Sequence, residues 1–370
     1  MAERRARRRR PRSPEVLNPS ALAEVLSPST LAEVIEVARL HFEQGLTQEA
    51  IATELDIPQS RVFRRLKLAE DAQFVKTTVC PPPLLTLQAD LLARLDKKRE
   101  IHDVRVVPRG AGENSAINAD NLGVVGASFL EEIIVPHPSH HLKIAMACGK
   151  TLLTLLTRFV ARLEQSPGTL RKLKKKEITL YPLNLYWDWK FDYSAAISPS
   201  ALVIATAVLL GRLGLKVYAD TPPPPLSFYR KAELVPDGEQ AQLAQKYTEY
   251  RQAVEQADIF LLGIGTGDRE RSNYSDVVEW LDIDDTINWD SIAGEINYQP
   301  YTTDGTFPSL PRFPGVQAKR LQELAKTEKK VIAVAGGIGK ASAVRAILKK
   351  DAPFNILLTD QDIAEQIRWV

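Results

Sequence analysis

Several residue types that build particular kinds of protein are scarce in this chain of 370 residues. Its two cysteines, Cys80 and Cys148, are too few for a disulfide framework or a cysteine-based zinc site. No apolar run reaches the roughly 18 residues that a membrane-spanning helix needs. The arginine-rich start has no apolar segment behind it, so it does not resemble a secretory signal. We therefore expect a reduced, cytoplasmic protein that makes no contact with a membrane.

Histidine is also sparse, with five residues, and all of them lie outside the glycine-rich loops considered below. Three share the segment PHPSHH with two prolines, which predicts a surface loop rather than a metal site. A sugar-phosphate isomerase or deaminase needs a positioned acid and base, often a carboxylate beside a histidine. The carboxylates that could serve are Asp268, Asp304 and Asp360. We expect no cofactor, no metal and no enzymatic activity, with such an enzyme as the less favoured alternative.

Positive charge is concentrated at one end of the sequence. Residues 1–12 hold seven arginines and one glutamate, although the whole chain has a net charge of only +2. Arginine, proline and serine dominate residues 1–28, which are predicted to form a disordered basic arm. Such an arm is suited to a polyanion, most simply nucleic acid, and a solvated tail is the alternative.

The segment TQEAIATELDIPQSRVFRRLKLAE predicts two helices joined by a tight turn. Thr47 can cap the first helix through its hydroxyl group, and Asp56 tolerates the left-handed conformation that the turn needs. Pro58 suits the first turn of the second helix. Because Val62 and Leu66 would point inward, the basic residues around them form an exposed face. No acid occurs between residues 58 and 68.

This pattern is typical of a helix-turn-helix, whose second helix enters a DNA major groove. A plain helical hairpin with a solvated basic face is the alternative. We assign residues 29–78 to this DNA-binding domain and residues 79–88 to a proline-rich linker. The residues predicted to contact DNA are Thr47, Gln48, Gln59, Ser60, Arg61, Arg64, Arg65 and Lys67.

Residues 89–370 alternate apolar strands with helical segments, which predicts an α/β domain with a mostly parallel sheet. Three glycine-rich loops follow strands: ACGKTL, GIGTGDR and GGIGKASA. Ligands bind beyond the carboxyl ends of such strands, and free N–H groups with a nearby lysine favour a phosphate. Tight turns are the alternative for any single loop. The predicted effector-binding residues are Gly149, Lys150, Thr151, Gly265, Thr266, Gly267, Asp268, Gly337 and Lys340.

Taken in order, the motifs TQEAIATELDI, ACGKTL, ADIFLLGIGTGD, VIAVAGGIGKASAVRAIL and FNILLTDQDIAEQI resemble the SorC/DeoR sugar-binding transcription regulators. The resemblance runs from about Leu31 to the C-terminus. It implies a winged helix-turn-helix followed by a Rossmann-like effector domain related to ribose-phosphate isomerase and glucosamine-phosphate deaminase. It further implies a homo-dimer or tetramer, a DNA operator as partner, and a phosphorylated sugar held by the three glycine-rich loops.

The chain departs from the family pattern at three single residues and in one short segment. Cys148 stands where the family often has Trp, Asp56 where Gly is usual, and Pro58 where a Ser cap is usual. After the strand ITLYPL, the bulky residues Leu185, Tyr186 and Trp187 replace permissive backbone and could fill the pocket. The expected function is thus a sequence-specific regulator whose DNA affinity or assembly responds to a phosphorylated sugar. A DNA-binding assembly protein with a degenerate effector pocket stays open as the alternative.

Overall fold

The computed structural model describes residues 27–72, 74–75, 81–109, 115–184, 198–221, 237–268, 287–310 and 315–368. The chain divides into two compact units, Met1–Val79 and Cys80–Val370. The predicted basic arm, except for its last residues, and the three residues Leu185, Tyr186 and Trp187 lie outside the described residues. No helix within those described ranges is long and apolar enough to cross a membrane.

The described part of the first unit contains three helices: α1 (Pro28–Phe42), α2 (Gln48–Glu54) and α3 (Gln59–Asp71). The hydroxyl of Thr47 accepts a 3.2 Å hydrogen bond from the Ala50 amide and so caps α2, as the sequence predicts. Between α2 and α3 the chain turns at Asp56, which has a left-handed φ of 50°. The unit has the predicted helix-turn-helix, and its described part contains no strand that could form the implied wing.

Apolar residues at helical spacing join the three helices of this unit. The buried residues that they share are Val37, Leu40, Ile51, Val62 and Leu66. Burial of a single aliphatic side chain of this kind stabilises a fold by roughly 1.5–3 kcal/mol. A second buried set, Val34, Ala38 and Ala69, packs α1 against α3 beside this cluster.

The second unit alternates strands with helices. Its helices are α4 (Leu85–Arg99), α5 (Ser115–Ile134), α6 (Lys150–Glu164), α7 (Pro167–Leu173), α8 (Pro199–Arg212), α9 (Asp237–Glu255), α10 (Ala318–Ala325), α11 (Ala341–Ile347) and α12 (Gln361–Ile367). Its strands are β1 (Asp103–Val107), β2 (His141–Met146), β3 (Glu177–Pro182), β4 (Lys216–Ala219), β5 (Ile259–Thr266), β6 (Ile292–Ile296), β7 (Gln299–Thr302), β8 (Lys330–Ala335) and β9 (Ile356–Asp360). Helix α4 begins inside the segment predicted to be a linker.

Seven strands form a parallel sheet in the order β1-β9-β8-β5-β2-β3-β4. The apolar runs of β5 and β8 are almost entirely buried, which is expected when helices cover both faces of a sheet. The Rossmann-like, mostly parallel α/β fold is therefore confirmed. The order of the strands places the carboxyl ends of β2, β5, β8 and β9 side by side.

The hairpin of β6 and β7 was not predicted from the sequence. Strand β6 pairs antiparallel with the end of β5, and β7 pairs with β6. The turn of the hairpin places Asn297 and Tyr298 at left-handed φ values of 51° and 61°. A buried hydrogen bond of 2.8 Å from Asn184 Nδ2 to Asn297 Oδ1 holds the turn. The hairpin therefore covers the carboxyl end of β5, where the sequence predicted an open ligand loop.

Candidate functional site

Helix α3 has one buried and one exposed side. Val62, Leu66 and Ala69 are buried, at the spacing of three and four residues that marks one helical face. The opposite side exposes side chains that can donate or accept hydrogen bonds, and these are Gln59, Ser60, Arg61, Arg64 and Lys67. The predicted DNA-contacting residues of α3 thus share one accessible surface, with the exception of Arg65.

Arg65 is held within the unit. Its Nη2 atom donates a 3.0 Å hydrogen bond to Glu33 Oε2 on α1, and both side chains are roughly three-quarters covered. The hydrogen bond from Arg65 lowers the pKa of the Glu33 carboxyl, against the opposing effect of burial. In this structure Arg65 therefore joins α3 to α1, in addition to any contact that it makes with DNA.

The predicted residues at the start of α2 are also accessible, but to different degrees. Thr47 is exposed and Gln48 is half-buried. Since the Thr47 hydroxyl accepts the capping bond from Ala50, its own proton remains available for an acceptor such as a phosphate oxygen. Arg64 lies along its own helix, with Nε donating to the Ser60 carbonyl oxygen at 3.2 Å. These contacts orient polar groups at the helix starts, where phosphates commonly bind.

In the second unit, the β6–β7 hairpin gives a structural reason for glycine at two of the predicted positions, Gly265 and Gly267. Gly265 pairs with Glu295 and Thr266 pairs with Gly294 across β5 and β6. A Cβ atom on Gly267 would lie 2.3 Å from the carbonyl oxygen of Ile292, which no real side chain could tolerate. Gly265 and Gly267 therefore permit the close approach of β6, a role that the sequence analysis missed. Contact of their backbone with an effector stays a prediction.

Glu295 occupies the position facing Gly265. One of its oxygens, Oε2, accepts a 2.8 Å hydrogen bond from the Tyr298 amide. Burial raises the pKa of this carboxyl to about 7, and the hydrogen bond and the charge of Lys340 act in the opposite direction. Burial likewise lowers the pKa of Lys340, opposed by the carboxylates of Glu295 and Asp360. Lys340 is thus half-buried beside the carboxylates of Glu295 and Asp360, which would compete with a phosphate for its positive charge.

The loop before α6 meets the same hairpin. The thiol sulfur of Cys148 lies 2.7 Å from the Tyr298 hydroxyl, and burial raises the pKa of the thiol to about 12. The thiol is therefore neutral near pH 7 and unsuited to nucleophilic chemistry. The left-handed backbone of Tyr298 costs roughly 1–2 kcal/mol for a residue with a side chain. Two contacts compensate for this cost: the Tyr298 hydroxyl contacts the Cys148 thiol, and the Tyr298 amide donates to Glu295 Oε2.

The third glycine-rich loop is tied to the end of β9. Gly337 has a φ of 93°, and its amide donates a 2.5 Å hydrogen bond to Asp360 Oδ2. The other oxygen of Asp360 accepts from the Ile363 amide at 2.9 Å and caps α12. The amide of Gly337, which was predicted to face an effector, is therefore already used by Asp360.

Helix α6 begins differently, because no side chain caps its first turn. Gly149 precedes it with a φ of 131°, Lys150 is exposed and Thr151 is half-buried. The amide groups of this first turn have no partner inside the helix, which favours an anion at this position. Gly149, Lys150 and Thr151 keep the arrangement that the sequence predicts for a ligand loop.

A groove of about 440 Å³ lies beside the hairpin, on the side of α11. Its lining residues are Thr266, Gly267, Asp268, Ile292, Ala293, Thr303, Gly339, Ser342, Arg345, Ala346 and Lys349. Three of the predicted residues, Thr266, Gly267 and Asp268, are among them. Lys340, Gly149 and Thr151 are not, so the predicted effector residues fall into two separate surroundings. We refer to this cavity as the α11 groove.

Two basic residues of the α11 groove were missed by the sequence analysis. Arg345 Nη2 donates to the carbonyl oxygen of Gln366 at 2.5 Å, and Lys349 Nζ donates to that of Thr303 at 2.8 Å. Within the described residues these hydrogen bonds go to neutral groups, so both positive charges face the groove without a bonded carboxylate. Their spacing of four residues, directly after a glycine-rich loop, was the available signal.

The described ranges contain no group of three or more His, Cys, Asp or Glu side chains that could hold a metal ion. What the α11 groove offers a ligand is instead a set of hydroxyl groups, amides and cations with one carboxylate, Asp268. Such a set can bind an anion together with hydroxyl groups of a polar molecule.

The two units define a class of protein that joins a helix-turn-helix to a mostly parallel α/β domain. Residues 240–367 match the family model described as a putative sugar-binding domain. The full-length sorbitol operon regulator SorC from Klebsiella pneumoniae has a similar fold, with 17% identity and a TM-score of 0.62. That similarity covers 93% of this chain and 100% of the Klebsiella chain.

Two further solved structures resemble this chain. A DeoR family transcriptional regulator from Listeria monocytogenes is 18% identical, with a TM-score of 0.53, and the match covers 76% of this chain and 98% of that one. A putative SorC family transcriptional regulator from Enterococcus faecalis is 16% identical, with a TM-score of 0.53 and coverage of 76% and 99%. No curated protein is matched in sequence. The resemblance to the SorC/DeoR sugar-binding regulators is thereby confirmed.

Proposed function

We propose that this chain is a sequence-specific DNA-binding transcriptional regulator whose DNA affinity or assembly is modulated by a sugar. The observation that carries the proposal is the exposed basic side of α3, in a chain whose residues 240–367 match the model of a putative sugar-binding domain. A sugar-phosphate enzyme would have no use for a helix-turn-helix of this kind. The solved proteins with the same fold are named as transcriptional regulators, which supports the same conclusion.

In the DNA complex, the first two turns of α3 enter the major groove. Gln59, Ser60, Arg61 and Arg64 contact base edges, because the first residues of a recognition helix reach the floor of the groove. Contacts to phosphate come from the flanking polar groups, which position the helix without reading sequence. These phosphate-contacting residues are Thr47, Gln48, Arg65 and Lys67.

A gel-shift measurement on the preferred sequence tests this assignment. Arg61→Ala and Arg64→Ala each should cost roughly 1–3 kcal/mol of binding free energy and relax base preference. Arg39→Ala, which removes an exposed arginine on α1, is the matched control and should leave base preference unchanged. Wild-type affinity and unchanged preference in both α3 variants would show that this helix does not read DNA.

We further propose that the effector is a phosphorylated sugar and that it binds in the α11 groove. Arg345 and Lys349 supply positive charge for a phosphate group, while Asp268 can accept hydrogen bonds from sugar hydroxyl groups. Ser342 and Thr303 add hydroxyl groups along the same wall. The predicted residues Gly149, Lys150, Thr151, Gly337 and Lys340 form a second position on the other side of the hairpin, where the uncapped start of α6 favours an anion.

A thermal-shift screen separates these possibilities. Sugar phosphates and the corresponding free sugars are compared on the wild type, Lys349→Ala and Lys340→Ala, with Lys319→Ala as a control for loss of an exposed lysine on α10. Stabilisation by a phosphate ester that is lost in Lys349→Ala alone places the phosphate in the α11 groove. If this stabilisation is lost in Lys340→Ala alone, the phosphate binds beside Glu295.

Two other outcomes of the screen would contradict the proposed phosphorylated-sugar effector. Stabilisation by free sugars only would leave a sugar-responsive regulator without a phosphate site. If no sugar stabilises the wild type at millimolar concentration, the reading changes to a DNA-binding assembly protein with a degenerate pocket. Turnover of a stabilising sugar phosphate in an isomerase or deaminase assay would contradict our proposal that the protein is not an enzyme.

The proposed mechanism requires assembly. One small helix-turn-helix covers too little DNA for high specificity, so an even-numbered homo-oligomer on two half-sites is the usual solution. The sugar can change DNA affinity only if it binds one arrangement of the subunits better than another. Light scattering should therefore show a dimer or tetramer, and a monomer both free and on DNA would contradict this part of the proposal.

A further inference from the structure

Phe63 is a large apolar side chain on the exposed side of α3. It is 54% exposed, more than Ile35 and Phe42, the other large exposed apolar residues of the first unit at 40% each. Its neighbours Val62 and Leu66 are buried in the core, and Phe63 is absent from that cluster. The phenyl ring therefore contributes little to the folding of this unit and is available to a partner.

The charges around Phe63 indicate what kind of partner fits. Arg64 follows it directly, Ser60 lies one turn before it and Lys67 one turn after it, and all three are exposed. A second copy that paired α3 with α3 around a two-fold axis would bring the cations Arg64 and Lys67 against their own images, which is unfavourable. A polyanion is attracted by the same charges, so the partner must combine negative charge with a small apolar surface.

DNA has this combination in its major groove. The C5-methyl group of thymine is the apolar feature of the groove floor, and a phenyl ring can recognise it by contact although it cannot read hydrogen-bonding groups. We infer that Phe63 contacts a thymine methyl group and so sets a preference for thymine at one position of each half-site. The inference rests on the proposed DNA-binding function and adds a specificity-determining residue to it.

Replacement of thymine by deoxyuridine removes this methyl group and nothing else. The full-length protein is first used to select its preferred DNA sequence, and each thymine of that sequence is then replaced in turn. At one thymine per half-site, replacement should weaken binding of the wild type about fourfold, the change expected for roughly 0.8 kcal/mol per buried methyl-sized group. Phe63→Ala should bind the two DNAs equally. Lys67→Ala should bind both more weakly and keep the fourfold difference.

Three results would overturn the inference, and they are distinguishable. Selection of no preferred sequence means that the proposed DNA-binding function itself fails. If a preferred sequence is selected but no deoxyuridine replacement weakens binding of the wild type, only the inferred thymine contact is refuted. The same holds if Phe63→Ala still binds the thymine DNA about fourfold more tightly than the deoxyuridine DNA. A change of oligomeric state in Phe63→Ala, measured by sedimentation, would assign the ring to a subunit contact. Because Phe63 is exposed, the melting temperature of the variant should match that of the wild type.

Discussion

Arg65 Nη2 lies 3.0 Å from Glu33 Oε2, and this contact connects helix α3 to helix α1. Two other atoms of the pair, Glu33 Oε1 and Arg65 Nε, are buried and make no hydrogen bond. A half-buried ion pair of this kind is costly to break from one side only, because the charge left behind loses its partner. Arg65 thus differs from Arg61 and Arg64, although all three belong to one run of basic residues.

Arg65→Ala should therefore destabilise the first unit, whereas Arg64→Ala should not. We expect a loss of roughly 1–2 kcal/mol in the local free energy of unfolding for Arg65→Ala, and a change within about 0.5 kcal/mol for Arg64→Ala. Native-state hydrogen exchange of the α1 and α3 amides in the full-length protein measures both. Equal protection in the two variants would show that the ion pair adds no stability.

The same pair predicts a pH dependence. Hydrogen bonding to Arg65 lowers the pKa of Glu33 in the folded state, so its stabilising effect is complete above the pKa of the unfolded chain. The effect is lost as the pH falls through the lowered pKa of the folded state. The difference between wild type and Arg65→Ala should accordingly shrink in acid, and a constant difference would argue against an electrostatic origin.

Substitution of two glycines that line the α11 groove should change stability to different degrees. Gly267→Ala places a methyl group 2.3 Å from the Ile292 carbonyl oxygen, so β5 and β6 must separate, and we expect roughly 1–3 kcal/mol of destabilisation. Gly339→Ala meets nothing within 4 Å and should change stability by less than about 0.5 kcal/mol. Chemical denaturation of both variants measures the effect. Equal stability would contradict the close packing of β6 on β5.

Glu295 should make stability fall as the pH rises. Its carboxyl has a pKa of about 7 in the folded protein and an ordinary value of 4.5, so between these values the folded state holds more protons than the unfolded state. Raising the pH from about 5 to about 8 should then cost roughly 1–3 kcal/mol of unfolding free energy in the wild type. Glu295→Gln should lack this loss.

The control for this measurement is Glu164→Gln, which removes an exposed carboxylate at the end of α6. It should show the same fall in stability as the wild type. If Glu295→Gln and the wild type have parallel stability profiles over this pH range, the carboxyl is ionised in the fold at neutral pH and its surroundings are more polar than the burial indicates.

Removal of residues 1–12 should weaken binding to all DNA sequences alike. Seven arginines can neutralise phosphates without reading bases, so the truncated protein should show a smaller slope of affinity against salt concentration. Base preference should stay that of the full-length chain. Gel shifts at several salt concentrations measure the slope, and an identical slope after truncation would mean that the arm does not contact DNA.

The sequence by itself determined the elements whose signals are local. Thr47, Asp56 and Pro58 mark a cap, a left-handed turn and a helix start within a few residues of each other, and the spacing of buried residues orients α3. In the second unit, apolar runs predicted the central parallel strands, because a strand covered on both faces needs apolar residues throughout. The exposed basic side of α3 could be predicted for the same reason, since Val62 and Leu66 fix which side is buried.

Only the tertiary structure decided what depends on residues far apart in the chain. Glu33 and Arg65 are 32 positions apart, and nothing local distinguishes Arg65 from its basic neighbours. The place of the β6–β7 hairpin is set by pairing with β5 and by the buried hydrogen bond between Asn184 and Asn297, which are 113 positions apart. The glycines at the end of β5 allow strand β6 to pack closely against it. The α11 groove forms where the end of β5, strand β6 and helix α11 meet.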